Sequence, residues 1–169
     1  VFDHQPDSLA DIRFVITALA STFGVAERGA ALNQQIDHAL RYAQEKLKPL
    51  RQHSSLTALI AVSSTPLVVA GPTTFPSEII AAVGLSNLAR DKTAVWPIWS
   101  LEQLIHTPPK VMIITNEEQL PEFLRLIRSL NIPAHHFRLL VPKRPIFDSP
   151  SPLIIADIYH LADLLPPEL

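Results

Sequence analysis

Leu56-Thr-Ala-Leu-Ile-Ala-Val62 is the stretch from which the fold of this chain can be read. Everything before it has helical spacing, and here the period gives way to a short, continuous apolar run, the pattern of a strand buried on both faces. Leu67 to Ala70 forms a second extended piece that ends at Gly71. Downstream, helix and strand alternate. Ser77 to Val83 reads as a helix closed by Gly84, Ser100 to Ile105 as a short helix after Trp99, and Lys110 to Thr115 as a second buried strand. Glu118 to Leu130 is amphipathic, with Leu120, Phe123, Leu124, Ile127 and Leu130 on its apolar face. Phe137 to Val141 reads as a third strand and Ser151 to Leu165 as a final helix before Pro166-Pro167. Strands separated by helices of about ten residues argue for βαβ units. The expected fold is therefore α/β, a three-layer lobe whose mostly parallel sheet is covered by helices.

Working upstream, residues 1–7 read as an extended lead-in. Ser8 with Asp11 three residues later makes an imperfect capping box for a first helix carrying Leu9, Ile12, Val15, Ile16 and Leu19, with Gly24 as its stop. A longer helix follows, with Leu32, Ile36, Ala39, Leu40, Ala43 and Leu47 as its stripe, and Pro49 with the polar run Arg51 to Ser55 marks its end. These two helices stand outside the alternation, which suggests a spacer or spine. The expected division is residues 1–55 as lead-in and helical connecting segment and residues 56–169 as the α/β lobe. Sixteen prolines against four glycines predict stiff connections.

Composition excludes several classes. The 169 residues, 47 % of them apolar, are ample for one continuous core. Fourteen Lys plus Arg face sixteen Asp plus Glu, without a basic block that would track a phosphate backbone, so no nucleic-acid partner is expected. The apolar runs fall far short of the roughly 20 residues that cross a bilayer. There is no cysteine, hence no disulfide, thiolate metal site or Cys nucleophile. The opening Val1-Phe2-Asp3 has neither an initiating Met nor a basic-then-apolar leader, so something is expected to precede it.

The four glycines, at positions 24, 29, 71 and 84, give no dinucleotide fingerprint and no Walker-type loop, and no Gly-x-Ser-x-Gly elbow occurs. Seven scattered histidines include one adjacent pair, His135-His136, which reads either as a metal or haem-iron site or as two side chains diverging on a turn. Asp157 and His160 form the best acid–base pair and read as a surface i, i+3 contact. No metal site, cofactor or enzymatic activity is expected.

Ala94-Val-Trp-Pro-Ile-Trp-Ser-Leu-Glu-Gln-Leu104, followed by His-Thr-Pro-Pro-Lys-Val-Met-Ile-Ile-Thr115, resembles a signature of periplasmic cobalamin-binding proteins: Trp-Pro, then Ser-x-Glu-x-hydrophobic, then Pro-x-hydrophobic-Ile-hydrophobic-Thr. Ala70-Gly71, Ser77 to Gly84 and Asn87-Leu-Ala-Arg-Asp91 are similar to the group's helix, glycine and Asn-x-hydrophobic-x-Asp sequence, and Ser149 to Ala156 resembles the stretch opening its last helix. Val1 to Leu9 and the two leading helices look like the group's interlobe segment. The resemblance implies the C-terminal lobe and spine of a bilobal periplasmic substrate-binding protein that holds a large ligand in its interlobe cleft and docks on an ABC importer permease. The N-terminal lobe, on the order of 100 residues by ordinary domain size, is expected to precede Val1.

Carried over residue by residue, the resemblance makes Trp96 a cleft-lining indole, with a Trp buried in the lobe's own core as the alternative, and Trp99 a core or interlobe support. Glu102 matches the acidic residue that docks on permease arginines, and a first-turn carboxylate serving the helix dipole is the alternative. Where the group brings phenylalanines to the cleft, the stretch Ala61 to Val69 offers only Val62 and Val68. Where the group has an Asp and an Arg facing the ligand, this chain has Pro145 and Ser149, with Lys143, Arg144 and Asp148 as neighbours. Val62, Val68, Trp96, Ile146 and Phe147 are thus the expected apolar ligand contacts. Arg144, with Lys143, reads as a basic handle for an anionic ligand or as a solvated pair beside a proline turn. The expected ligand is a corrinoid such as cobalamin, with haem or a siderophore as the rival. An interaction module without a small-molecule ligand, or self-association through the open interlobe face, remains the other reading.

Overall fold

The structure, a computed structural model, describes residues 6–51, 56–90, 93–131 and 137–165. The His135-His136 pair, the start of the lead-in at Val1 to Gln5 and Pro166-Pro167 lie outside the described residues.

Helix α1 (Leu9–Thr22) begins as the capping box requires: the Ser8 hydroxyl accepts the Asp11 N–H at 3.0 Å, and the Asp11 carboxylate accepts the Ser8 N–H at 3.1 Å. Gly24, at φ 68°, turns the chain into α2 (Ala26–Lys46), which buries Ile36, Ala39 and Ala43. Pro49 does not break off the helical backbone at once. It sits in a four-residue turn, α3 (Lys48–Arg51), where a proline has no intrahelical hydrogen bond to lose.

The apolar run at Leu56 becomes strand β1 (Thr57–Ser64), followed by β2 (Leu67–Val69), α4 (Phe75–Ala82) and β3 (Ser86–Asn87). Then come α5 (Leu101–His106), β4 (Val111–Ile114), a 3-10 turn at Glu117–Gln119, α6 (Leu120–Ser129), β5 (Arg138–Leu140) and α7 (Ile154–Leu164). The sheet runs β2-β1-β4-β5, with β3 also paired to β1. The β1–β4, β4–β5 and β1–β3 pairs are parallel; only β2 is antiparallel, a tight return along the edge of β1.

Period-2 alternation divides the core. Ala58 and Ile60 of β1, with Val111 and Ile113 of β4, face one cluster that includes Ile12, Ile36, Ile79 and Ile158 from α1, α2, α4 and α7. Leu59, Ala61, Met112 and Ile114 face a smaller cluster closed by Trp99, Leu104 and Phe123. Each side chain of this kind contributes about 1.5–3 kcal/mol when removed from water, so both faces must be covered. The leading helices, expected as a spacer outside the alternation, form one of the covering layers. Lys46 on α2 pairs with Asp163 on α7, and that hydrogen bond holds the Asp163 carboxyl below its ordinary range.

Several boundaries differ from the sequence-based expectations. Helix α4 starts two residues earlier than Ser77, because Thr74 is its N-cap and Pro76 lies in its first turn. Strand β3 has no counterpart among the expected elements; two residues carry no periodicity. Asp157 and His160 do not form a surface pair, because Asp157 is buried, 3 % exposed, and committed elsewhere.

That commitment shapes the loop between β5 and α7. Arg144 donates to Asp157 Oδ1 at 2.8 Å, and the Phe147 N–H donates to Asp157 Oδ2 at 2.9 Å. Phe147 has φ 58°, a left-handed conformation that costs a residue with a Cβ roughly 1–2 kcal/mol. Its amide is held by the buried carboxylate, and its ring meets Phe75 edge-on, with centroids 6.3 Å apart at 80°. Arg144, exposed at its outer side, is thereby tied to the fold of this loop.

Two consequences can be measured by urea unfolding. A Cβ on Gly29 would stand 2.5 Å from Ala20 Cβ at the α1–α2 crossing, with no flexible side-chain end to yield. Gly29→Ala is expected to destabilise by about 1–2 kcal/mol through overpacking, although helix propensity alone would stabilise by about 1 kcal/mol; an unchanged or raised midpoint would refute that crossing. Asp157→Ala strips the acceptor from a buried N–H and is expected to cost about 2 kcal/mol, whereas Arg144→Ala, at an exposed cation, is expected to cost under about 1 kcal/mol. Equal losses would contradict the assignment of Asp157 as the group that holds Phe147.

Candidate functional site

In a parallel sheet covered on both faces, the loops that leave the carboxyl ends of the strands converge on one edge, and that edge is where such folds bind ligands. Here β1, β4 and β5 deliver Val62, Thr115 with Asn116, and the loop Pro145 to Pro150 to the same place. Together with Pro6, Asp7, Phe75, Trp96 and Gln119 they line an open cavity of about 410 Å³. That volume falls in the usual range of small-molecule sites.

Each wall has a local cause. The register of β1 against β2 shifts between Ala61 and Ser63, and a bulge at this point lets Val62 leave the pleat. The Val62 carbonyl accepts the Gln119 Nε2 at 2.7 Å, tying the end of β1 to the turn before α6. The Ile146 N–H donates to the Thr115 carbonyl at 2.9 Å, which carries the β4 edge into the loop bearing Phe147. Asn116 caps the 3-10 turn through its Oδ1.

Trp96 comes from a segment that adds itself to the outer edge of β2. Val69 N–H donates to the Pro97 carbonyl at 3.0 Å and Trp99 N–H to the Leu67 carbonyl at 2.8 Å, with Val68 bridged to Ile98 between them. Gly71 makes this approach possible: a Cβ there would lie 2.4 Å from the Ala94 carbonyl oxygen and 2.7 Å from that of Val95. The two tryptophans then part. Trp99 is 5 % exposed in the smaller core, while Trp96 is 43 % exposed over the cavity. An indole left open to solvent in the same cavity as the Phe75–Phe147 pair offers a flat apolar face with little rotamer entropy to lose on contact.

Of the site residues expected from sequence, the fold brings Trp96, Val62 and Phe147 together. Val68 lies outside the cavity, engaged on the edge strand. Ile146 is a correction: it is fully buried in the larger core, whereas Phe147, 6 % exposed in that same core, reaches the cavity lining. Arg144 is likewise outside, bonded to Asp157. Glu102 is exposed on the first turn of α5, where Ser100 caps the helix.

Sequence reading missed Phe75, Thr115, Asn116 and Gln119, and noted Asp148 only as a neighbour. The strand-end rule would have found Thr115 and Asn116, which directly follow the best-defined buried strand. Phe75 was hidden by the late start assigned to its helix. Phe75 and Phe147 bring two aromatic rings to the cavity lining, both largely buried.

Among the described residues, two other concavities occur. An apolar groove of about 380 Å³ lies between α1, the start of α2 and the loop before α7, lined by Ile12, Leu19, Phe23 and Leu32 among others, and shares Pro150 with the cavity. A polar one of about 390 Å³, with Thr57, Ser86, Gln103 and Thr107, sits at the opposite, amino end of the strands. No three His, Asp or Glu side chains among the described residues gather as metal ligands would, and no helix is long and apolar enough to cross a membrane.

Comparison with known proteins bears on the fold and the family. The vitamin B12-binding protein of Pectobacterium atrosepticum is 34 % identical over 89 residues, covering 53 % of this chain and 32 % of that protein. The periplasmic vitamin B12-binding protein BtuF of Vibrio cholerae superposes with a TM-score of 0.70 at 18 % identity, over 95 % of this chain and 62 % of that one. The S. aureus protein IsdE, complexed with heme, superposes at 0.73 and 19 %, over 94 % and 65 %. The chain thus spans less than two thirds of each of these proteins, and at such identities the two structures speak for the fold alone. The periplasmic binding protein family pattern matches residues 1–134, from the lead-in through both helices, β1, the Trp96 segment and β4. On that match, and with the fold of its solved neighbours, this chain belongs to the periplasmic binding protein family.

Proposed function

We propose that this chain is the ligand-recognition lobe of an extracytoplasmic binding protein serving an ABC importer, a transport component and not an enzyme. In this reading residues 1–55 are the interlobe segment and residues 56–169 the C-terminal lobe, and the cavity at the strand ends is one wall of a cleft. The observation that carries it is the exposed Trp96 sharing one cavity with Phe75 and Phe147, at the edge where parallel sheets present ligands. Exposed Phe23 and Leu19, lining an apolar groove that shares Pro150 with this cavity, support a second protein wall in preference to a sealed interaction module.

The ligand this reading favours is a corrinoid such as cobalamin, a large and largely apolar macrocycle suited to an indole and two phenyl rings. The partial match to a vitamin B12-binding protein supports it. Haem is the second reading, favoured by the fold likeness to a heme complex. Glu102, exposed beside Leu101 and Ile105, is the proposed contact with the permease, where a carboxylate meeting arginines would set orientation and on-rate.

The test is titration of the chain with cyanocobalamin, followed by tryptophan emission corrected for ligand absorption. Quenching is expected to be weak, because the chain supplies one wall of the cleft, and Trp96→Ala should weaken it further, roughly tenfold, the worth of about 1.4 kcal/mol of aromatic contact. Trp99 emission should persist in that variant. Binding unchanged by Trp96→Ala would remove the cavity from the account.

A further inference from the structure

The charge of the cavity points to the chemistry of what it takes. Its charged lining residues are Asp7 and Asp148, beside the neutral polar groups of Thr115, Asn116 and Gln119. No Lys, Arg or His of the described residues lines it. The two cations closest in sequence do not compensate. Arg144 is drawn off by Asp157 and the Pro145 carbonyl, and Lys143 is exposed outside the cavity lining. Among the described residues neither Asp7 nor Asp148 makes a hydrogen bond or ion pair, so both carboxylates keep their acceptor capacity.

Exposed acids are ordinary; acids bordering an apolar concavity are less so. Walls of low polarizability, here Trp96, Phe75, Phe147, Val62 and Pro145, concentrate the field of the two carboxylates into the space where a ligand would sit. A ligand carboxylate placed there meets repulsion and finds no guanidinium or ammonium to pair with. A ligand amide N–H, or a cation, meets acceptors. Gln119 has already spent a donor on the Val62 carbonyl and Asn116 its oxygen on the Glu118 N–H, so the neutral amides add both one acceptor and one donor group to the lining.

We infer that Asp7 and Asp148 set the charge selectivity of this wall, which admits a neutral or cationic apolar ligand rich in amide N–H groups and repels one that presents carboxylates. The inference rests on the cavity being a ligand wall, as proposed above, and decides between the two ligand classes: it favours an amide-bearing macrocycle over a propionate-bearing one.

The experiment compares two probes of one shape, a corrin macrocycle carrying primary amides and the same macrocycle hydrolysed to carboxylates, by equilibrium dialysis against this chain and Asp7→Asn/Asp148→Asn. At low ionic strength the amide form is expected to bind at least about tenfold tighter, and the gap should narrow to about threefold or less in the double variant and at high salt. Equal binding of the two forms, or a gap that survives both the substitutions and salt, overturns the inference while leaving the cavity a ligand site. If neither form binds either protein, while circular dichroism shows both folded, the ligand-wall reading falls and takes the inference with it.

Discussion

Parallel pairing of β1 with β4, buried on both faces, is the constraint from which the rest follows. Ala58, Leu59, Ile60 and Ala61 face alternately into two cores, as do Val111, Met112, Ile113 and Ile114. Neither face can meet water, so helices must cover both. Parallel strands also need crossovers, and the loops leaving their carboxyl ends must share one edge. The cavity is the space those loops leave. Its position is thus a consequence of the sheet, and its chemistry a consequence of which side chains the loops carry.

The loops are held by specific devices. A bulge frees Val62, Gly71 lets the Trp96 segment approach β2, and a buried carboxylate keeps Phe147 in a left-handed turn. Asp157 contributes most to this arrangement, because it answers Arg144 and a buried backbone amide at once. Strain of this kind persists only where surrounding contacts over-determine it, and here it presents an aromatic ring to the cavity. The antiparallel return of β2 does the same for Trp96 by providing an edge for its segment to pair with.

What could be read in the sequence was what periodicity encodes. The change of period at Leu56, the Ser8–Asp11 box, the Ser100 cap and the alternation of strand and helix all leave local patterns, and the fold class followed from them. The family resemblance singled out Trp96, which lines the cavity. Two-residue β3 and the antiparallel sense of β2 leave no such pattern. Nor does a left-handed phenylalanine, whose conformation is set by Asp157, ten residues on in sequence. For that reason the sequence does not tell Ile146 from Phe147, although only Phe147 reaches the cavity lining from the core that they share. Arg144 looked like a ligand handle because its partner is a buried aspartate on the following helix, which its spacing does not betray.

Ligand is expected to meet this chain at the carboxyl ends of β1, β4 and β5. The most direct measurement is a map of backbone and indole N–H chemical shifts during titration with cyanocobalamin. Progressive shifts are expected at the Trp96 indole and at Thr115, Asn116, Gln119 and Phe147, with Thr57, Ser86 and Thr107 at the amino end left in place. Shifts confined to the amino end, or spread over the α1–α2 groove with the Trp96 indole unmoved, would contradict it.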